Sequence, residues 1–349
     1  MSFSEKLLTW YSHNKRKLPW RNTKDPYKIW LSEIILQQTR VIQGMPYYER
    51  FIQAFPTVQD LASANEETVL KLWQGLGYYS RARNLHATAK IVVNDFDGVF
   101  PDTYKDLLKL KGIGDYTASA ISSICFNEPH AVVDGNVYRV LARFYGIDLP
   151  INSTEGIKYY KELAQNLLYT GNVRDYNQAI MEFGAIQCTP KNPNCMYCPL
   201  NDKCVALKEG KEAVLPVKLK KSKVKDRYFN YLVPLYTDDS GKTTTLLNQR
   251  LGKGIWQNLW EFPLLESQHE IHLNDVEAQI QTLLPQVNTQ DVSLYNTKTV
   301  IHKLSHQHLN TKFWIVESCS PLIKGISTFE IDKYPVPVLI ADFMKTFKF

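Results

Sequence analysis

Four of the six cysteines crowd into one short segment, spaced Cys188-x6-Cys195-x2-Cys198-x5-Cys204. Four thiolates this close can wrap a single metal centre, and Pro190, Pro193 and Pro199 would stiffen the loop that carries them. Zinc sites commonly use two tight Cys-x2-Cys pairs separated by a longer spacer. Here one pair is tight and the flanking gaps are short, which is closer to the wrap around a cubane 4Fe-4S cluster. Zinc stays open as the alternative. The other two cysteines, Cys125 and Cys319, are isolated, so the set fits a metal site in a reducing compartment better than a disulfide framework.

A second concentration of functional residue types is LKGIGDYTASAISSICFNEPHAVVDGNV, Leu110 to Val137. Gly112-Ile113-Gly114 reads as a turn feeding a helix whose apolar residues are Ala118, Ile121, Ile124 and Cys125. A Gly-x-Gly turn at a helix start aims backbone N–H groups outward, which suits a phosphate oxygen. An ordinary tight turn between helices is the plainer reading. Asp134, between Val133 and Gly135, is either a helix N-cap or a functional carboxylate, and a capping Asp held rigidly can be both. Upstream, Glu33 lies three residues from both Trp30 and Leu36, on one helix face with two apolar side chains. A carboxyl in such surroundings has its charged form disfavoured and becomes a general acid usable near neutrality, whereas a solvated surface residue is the plainer reading of one Glu on a helix.

The elements that must position these groups follow from punctuation and periodicity. Residues 1–204 read as almost entirely helical, in short segments broken by Pro and Gly. From 205 to 227 the chain is rich in lysine, contains Pro216 and loses its apolar period, as an exposed linker would, while a solvated charged helix end is equally compatible with its first half. After it, YFNYLVPLY and TTTLLNQR flank an Asp-Asp-Ser-Gly turn, a hairpin signal. A helix near Asp275–Leu284, strands at TVIHKL and TKFWIVES, and a closing helix over Pro337–Phe347 complete a separate α+β domain.

The chain has 349 residues, 44% hydrophobic and 22% charged, enough for two or three folded domains. No apolar run approaches a membrane span, and MSFSEKLLTWYSH lacks a signal-peptide layout, so a cytoplasmic, intracellular protein without a membrane partner is expected. The net charge of +6 is concentrated in residues 208–227, with eight basic and three acidic side chains, while residues 228–349 are net acidic. Bulk charge is therefore only mild support for a DNA partner.

Taken together, helix–Gly-Ile-Gly–helix, Val133-Asp134-Gly135-Asn136-Val137 and the 6-2-5 cysteine loop resemble the helix-hairpin-helix DNA glycosylase superfamily. The stretch Trp30-Leu31-Ser32-Glu33-Ile34-Ile35-Leu36-Gln37-Gln38-Thr39-Arg40-Val41 narrows the resemblance to adenine DNA glycosylases of the MutY type. It implies a multidomain protein: an all-α helix-hairpin-helix glycosylase domain over 1–207 with a four-Cys iron–sulfur loop, a basic linker over 208–227, and an α+β Nudix-like domain over 228–349. Within the first, a six-helix part spans about 28–136, and a cluster part joins 1–27 to 137–207. The implied reaction is monofunctional hydrolysis of the N-glycosidic bond of adenine mispaired with 8-oxoguanine or guanine in double-stranded DNA, by a monomer.

The resemblance carries roles residue by residue. Glu33 matches the acid that protonates adenine at N7. Asp134 matches the carboxylate that steadies the cationic sugar, or bonds to it before water arrives, and Asn136 would orient it. Tyr116 stands where the endonuclease III type carries an amine nucleophile, so base removal without an efficient strand cut is expected; a merely packed aromatic is the alternative for it. Lys111, Gly112 and Gly114 form the phosphate-facing turn, with Lys111 replacing the family's usual Pro. Gln38, Thr39 and Tyr78 match residues that wedge into the duplex or touch the opposing purine. Arg16, Arg21 and Gln178 match the adenine pocket; a surface ion pair is the alternative for the arginines. Cys188, Cys195, Cys198 and Cys204 match the cluster ligands.

Arg250-x5-Trp256-x3-Trp260-Glu261-Phe262-Pro263 looks like the core of a Nudix domain, without the Arg-Glu-x-x-Glu-Glu helix that pyrophosphatase chemistry needs. The family's lesion-reading loop, usually Phe-Ser-His, is here Leu304-Ser305-His306, so Ser305 and His306 are expected at the modified purine or its phosphate. Two other functions compete: a bifunctional endonuclease III-like glycosylase/lyase, and a non-catalytic iron–sulfur protein that binds DNA or senses redox state.

Overall fold

The computed structural model describes residues 1–220 and 224–349. Twelve helices come first among the described residues: α1 (Phe3–Asn14), α2 (Pro26–Leu36), α3 (Val41–Ala54), α4 (Val58–Ser63), α5 (Glu66–Trp73), α6 (Ser80–Asp95), α7 (Tyr104–Leu107), α8 (Asp115–Phe126), α9 (Gly135–Tyr145), α10 (Thr154–Asn166), α11 (Val173–Ile186) and α12 (Val205–Glu209). There follow β1 (Lys225–Thr237), β2 (Thr243–Thr245), β3 (Asn248–Gln249), β4 (Trp260–Glu261), β5 (Leu264–Ser267), α13 (Leu273–Leu283), β6 (Thr289–Leu294), β7 (Val300–Lys303), β8 (Gln307–Ser318), β9 (Ile326–Ser327) and α14 (Val338–Thr346).

The chain divides into two compact units. The first is Met1–Ser63 with Asn84–Lys220, and the second is Ala64–Arg83 with what is described beyond Lys220. Sequence reading places residues 64–83 with the helical part. They group with the second unit because α5 is fastened there: Trp260 Nε1 donates to Glu67 at 2.8 Å, Asn258 Nδ2 to Glu66 at 2.6 Å, and Lys71 Nζ to the Tyr334 carbonyl at 3.1 Å.

In the helical unit the caps show why helices begin where they do. The Ser2 hydroxyl and the Glu5 carboxylate cap α1 reciprocally. The Asp25 carboxylate accepts from the Tyr27 N–H ahead of α2, whose first residue is Pro26. Gly146, left-handed at φ +70°, ends α9. Helix α2 is buried nearly all round and packs on α3 and α8; α11 packs on α1, α8 and α9. Trp30, Leu31, Phe51, Tyr160, Tyr176 and Phe183 are fully buried in this unit, each worth ~1.5–3 kcal/mol of transfer free energy.

The expected linker departs from a free tether. Ile151 N–H donates to the Val217 carbonyl at 3.0 Å, Asn152 pairs both ways with Leu219, and Leu215 is buried. Apolar residues alternating with the lysines let this stretch dock on the helical unit, and β1 already begins at Lys225. Lys221, Ser222 and Lys223, also assigned to the linker, lie outside the described residues.

The second unit is built on a sheet of order β6-β8-β1-β2-β9. Strands β1 and β8 run parallel in its centre, β5 adds to β1, and β7 adds to β8. The predicted hairpin is β1–β2, pairing Thr237 with Thr243 around the Asp238–Gly241 turn. Alternation along the central strands sorts the two faces. Leu232, Trp314 and Val316 pack with Val276 and Ile280 of α13, while Phe313 stacks on Phe343 of α14 at 4.1 Å.

Candidate active site

Glu33 sits in the middle of α2, only 9% exposed, between fully buried Ser32 and buried Ile34. Burial pushes its carboxyl up to about 7; the negative charge of Asp134 adds to the rise, while a hydrogen bond with Tyr116 and the charge of Arg21 oppose it. The two carboxylates, a hundred residues apart in sequence, therefore lie within electrostatic reach of each other.

Asp134 is the N-cap of α9, as its plainer reading has it. Its Oδ1 accepts from the N–H groups of Asn136 at 2.9 Å and Val137 at 2.8 Å, and its Oδ2 accepts from Asn136 Nδ2 at 2.7 Å. Burial raises its pKa, and these three hydrogen bonds restrain the rise. The cap fixes the carboxylate, and Asn136 locks its second oxygen. Tyr116, in the first turn of α8, completes the group. Burial first, then the charges of Glu33 and Asp134, hold its phenol far above the ordinary value, so it stays protonated. Its hydroxyl donates to Met181 Sδ at 3.3 Å.

The turn before α8 is open to solvent at Lys111, Gly112 and Gly114. Gly112 has φ +77°, and a Cβ there would stand 2.8 Å from Asn84 Cβ, so glycine is required on both counts. Gly114 has open space around its Cα. Thr88 Oγ1 donates to the Lys111 carbonyl at 2.6 Å and pins the turn to α6.

Arg16 and Arg21 are not a surface ion pair. Both grip Glu182, a buried residue of α11 that sequence reading passed over. Arg16 Nε and Nη2 reach its two oxygens at 2.8 and 2.5 Å, and Arg21 Nη1 and Nη2 reach them at 2.9 and 2.7 Å. Burial alone would raise the Glu182 pKa; the two guanidinium forks bring it down to about 2. Gln178, one turn earlier, accepts from the Tyr11 hydroxyl at 2.8 Å. Arg16, Arg21 and Gln178 line a cleft of about 280 Å³ with Tyr11, Lys15 and Arg174; Glu33 and Asp134 do not line it, and Arg21 is the residue whose charge reaches Glu33. The only sequence signal for Glu182 is its i,i+4 spacing from Gln178.

Two further residues missed from sequence, Arg139 and Arg143 of α9, are buried and tie the cysteine loop to the helices. Arg139 Nη2 donates to Asn136 Oδ1 at 2.9 Å, and its Nε donates to the Cys188 carbonyl at 2.7 Å. Arg143 donates to the carbonyls of Thr189 at 2.7 Å, Pro190 at 3.1 Å and Leu215 at 3.0 Å, and to Cys188 Sγ at 3.4 Å. Cys188, Cys195, Cys198 and Cys204 are all half-buried and unbridged. Burial raises the Cys195, Cys198 and Cys204 thiols, and charge on the neighbouring thiols raises them further. No group of three or more His, Cys, Asp or Glu among the described residues stands as a formed metal-binding set. As donors, four half-buried thiols whose charges act on one another suit a soft centre, iron–sulfur or zinc, and the Glu212 carboxylate also acts on Cys195 and Cys204. The Cys125 thiol is pushed up to about 12 by burial, which fits its expected core role.

In the second unit, Tyr78 is exposed with φ +46°, and its hydroxyl pairs with Ser305 Oγ. Ser305 and His306 are exposed and Leu304 is half-buried. In the first unit, Gln38 is exposed in the left-handed region at φ +56°, and Thr39 Oγ1 donates to the Gln37 carbonyl at 3.3 Å. No helix among the described residues is long and apolar enough to cross a membrane.

A helix–Gly-x-Gly–helix hairpin beside a buried acid and a capping aspartate is the layout of a base excision DNA repair protein. The family model described as "HhH-GPD superfamily base excision DNA repair protein" matches residues 31–164, and the NUDIX domain model matches residues 235–346. The chain is 38% identical to an adenine DNA glycosylase of Buchnera aphidicola subsp. Baizongia pistaciae, over 90% of this chain and 86% of that one. It is 35% identical to an adenine DNA glycosylase of Mus musculus, over 87% of this chain and 68% of that one. Among solved structures, a thermostable thymine-DNA glycosylase superposes with a TM-score of 0.55 at 32% identity, over 59% of this chain and 95% of that one. The chain belongs to the adenine DNA glycosylase family.

Proposed function

We propose that this enzyme hydrolyses the N-glycosidic bond of adenine mispaired with 8-oxoguanine, or with guanine, in duplex DNA, and leaves the strand uncut. The observation that carries this reading is the Glu33 carboxyl, held at about 7 by burial and by Asp134. Such a group is protonated often enough near neutrality to hand a proton to a departing adenine, and N7 is the ring atom assigned to it. Asp134, rigid on three hydrogen bonds, stands as the anion that steadies the positive charge growing on the sugar. Tyr116 offers a phenol kept neutral and no amine, which argues against the glycosylase/lyase alternative.

Gly112 and Gly114 supply outward backbone N–H groups for a phosphate, with Lys111 beside them. Tyr78 and Ser305 are read as facing the purine opposite adenine, with His306 near its phosphate. Leu304 keeps an apolar side chain where the family carries an aromatic one, without its stacking surface. Gln38 and Thr39 are read as intruding into the duplex, and Arg16, Arg21 and Gln178 as the wall of the base pocket. Cys188, Cys195, Cys198 and Cys204 would hold a 4Fe-4S cluster, which when bound cross-links the loop and supplies no chemistry on the base. Arg139 and Arg143 hold that loop against α9.

The test is release of free adenine from an 8-oxoguanine:adenine duplex under single-turnover conditions, with the product strand examined before and after hot alkali. Adenine should appear, and the strand should break only after alkali. Direct strand cutting would favour the lyase reading. Duplex binding without base release, insensitive to Glu33→Gln, would favour a non-catalytic one.

A further inference from the structure

Tyr116 has one hydroxyl proton and two acceptors for it. One is Met181 Sδ on α11, 3.3 Å away; the other is the Glu33 carboxyl on α2, close enough to the phenol for each to shift the other's titration. When Glu33 is neutral it is itself a donor: its O–H can bond to the Tyr116 oxygen, while the Tyr116 O–H points at sulfur. When Glu33 is ionised, the best arrangement turns the Tyr116 O–H onto the carboxylate, and the bond to sulfur is given up. A thioether is a weak acceptor and a carboxylate a strong one, so sulfur holds the hydroxyl only while the carboxyl is protonated.

We propose that Met181 is a positioning residue for adenine release: its sulfur competes with the Glu33 carboxylate for the Tyr116 hydroxyl proton, and so favours the proton-donating form of the acid. This rests on the reading of Glu33 as general acid. The charged and titratable groups facing Glu33 are Tyr116 on α8, Asp134 at the head of α9 and Arg21 ahead of α2, with Cys125 on α8 also within its reach. Of these, only Tyr116 has a hydrogen bond to Met181 to lose when Met181 is replaced. On α11 the neighbouring Glu182 is already committed to Arg16 and Arg21.

Met181→Leu keeps the volume and removes the acceptor. The freed Tyr116 hydroxyl then stabilises ionised Glu33, so the high-pH fall in the single-turnover rate should move to lower pH by about half a unit. In a Tyr116→Phe background, Met181→Leu should move it no further. A fall that stays in place, or that moves equally in both backgrounds, overturns the proposal. Independently of turnover, protein labelled with ¹³C at the methionine methyl groups should show a Met181 resonance, assigned by its loss in Met181→Leu, that titrates with Glu33 and stops titrating in Glu33→Gln. A resonance indifferent to pH also overturns it. If Glu33→Gln keeps wild-type release, the general-acid reading fails and takes this proposal with it. If Glu33→Gln is inactive but the Met181 signals do not respond, the proposal fails alone.

Discussion

The guanidinium of Arg139 joins the Cys188 carbonyl to the side chain of Asn136, which in turn holds the second oxygen of Asp134. One buried cation thus spans from the cysteine loop to the head of α9 through direct hydrogen bonds.

Cutting that span is the first prediction. Arg139→Gln cannot reach all its partners, and it leaves the carbonyls of Cys188 and Gly184 without their donor. One buried and one part-buried acceptor left bare cost ~2–6 kcal/mol together. Thermal melting should fall accordingly, and adenine release should slow because Asn136 is no longer oriented. A variant that melts with the wild type would remove Arg139 from this role.

Asp134 has a capping duty and a proposed electrostatic one, and two substitutions separate them. Asn is among the best N-cap residues, so Asp134→Asn should melt close to wild type. Its release rate should nonetheless drop by about 10²–10³-fold, the scale for removing one preorganised electrostatic group. Asp134→Ala should lose both the rate and ~1 kcal/mol of stability. Equal release rates in wild type and Asp134→Asn would limit this residue to capping.

The pH dependence of Glu33 has a definite sign. Its folded-state pKa is raised from 4.5 to about 7, so the native state binds more protons than the unfolded chain between those values. Its contribution to stability is therefore greatest below about pH 4.5 and is lost as pH rises to about 7. Glu33→Gln should accordingly be more stable than wild type at pH 8, by up to ~3 kcal/mol, and gain little at pH 4.5. Adenine release in the wild type should decline above about pH 7, where the acid form is depleted. Denaturant melts at the two pH values check the first claim, and a rate profile checks the second.

Glu182 behaves oppositely. Its pKa is lowered to about 2, so its stabilising contribution is complete above about pH 4.5 and disappears as pH falls to about 2. Glu182→Leu strands two guanidinium groups and should cost ~3–5 kcal/mol at pH 7, with the difference narrowing in acid. A variant whose deficit is the same at pH 3 and pH 7 would contradict the ion-pair account.

Local sequence patterns carried much of this molecule. The left-handed Gly112, the run of helices between breakers, the β1–β2 turn and the two terminal-domain helices are set by short-range sterics and periodicity, and a single chain displays these openly. The burial of Glu33 was signalled by Trp30 and Leu36 on its face, although a solvated position is the plainer reading of one Glu on a helix.

What neighbours along the chain could not announce was pairing at a distance. Nothing around Glu182 predicts that Arg16 and Arg21, more than 160 positions earlier, take both its oxygens. Arg139 and Arg143 look like ordinary basic residues of an amphipathic helix until α9 is packed and their forks meet the carbonyls of a loop 45 to 49 residues away. Residues 64–83 read as helical wherever they end up, and long-range hydrogen bonds such as those with the Asn258 and Trp260 side chains and the Tyr334 carbonyl assign them to the sheet-bearing unit. Residue types and spacing are sufficient for local conformation and for the kind of chemistry available. Burial and charge partnership are properties of the packed chain, so the protonation states on which that chemistry depends were decided by tertiary structure.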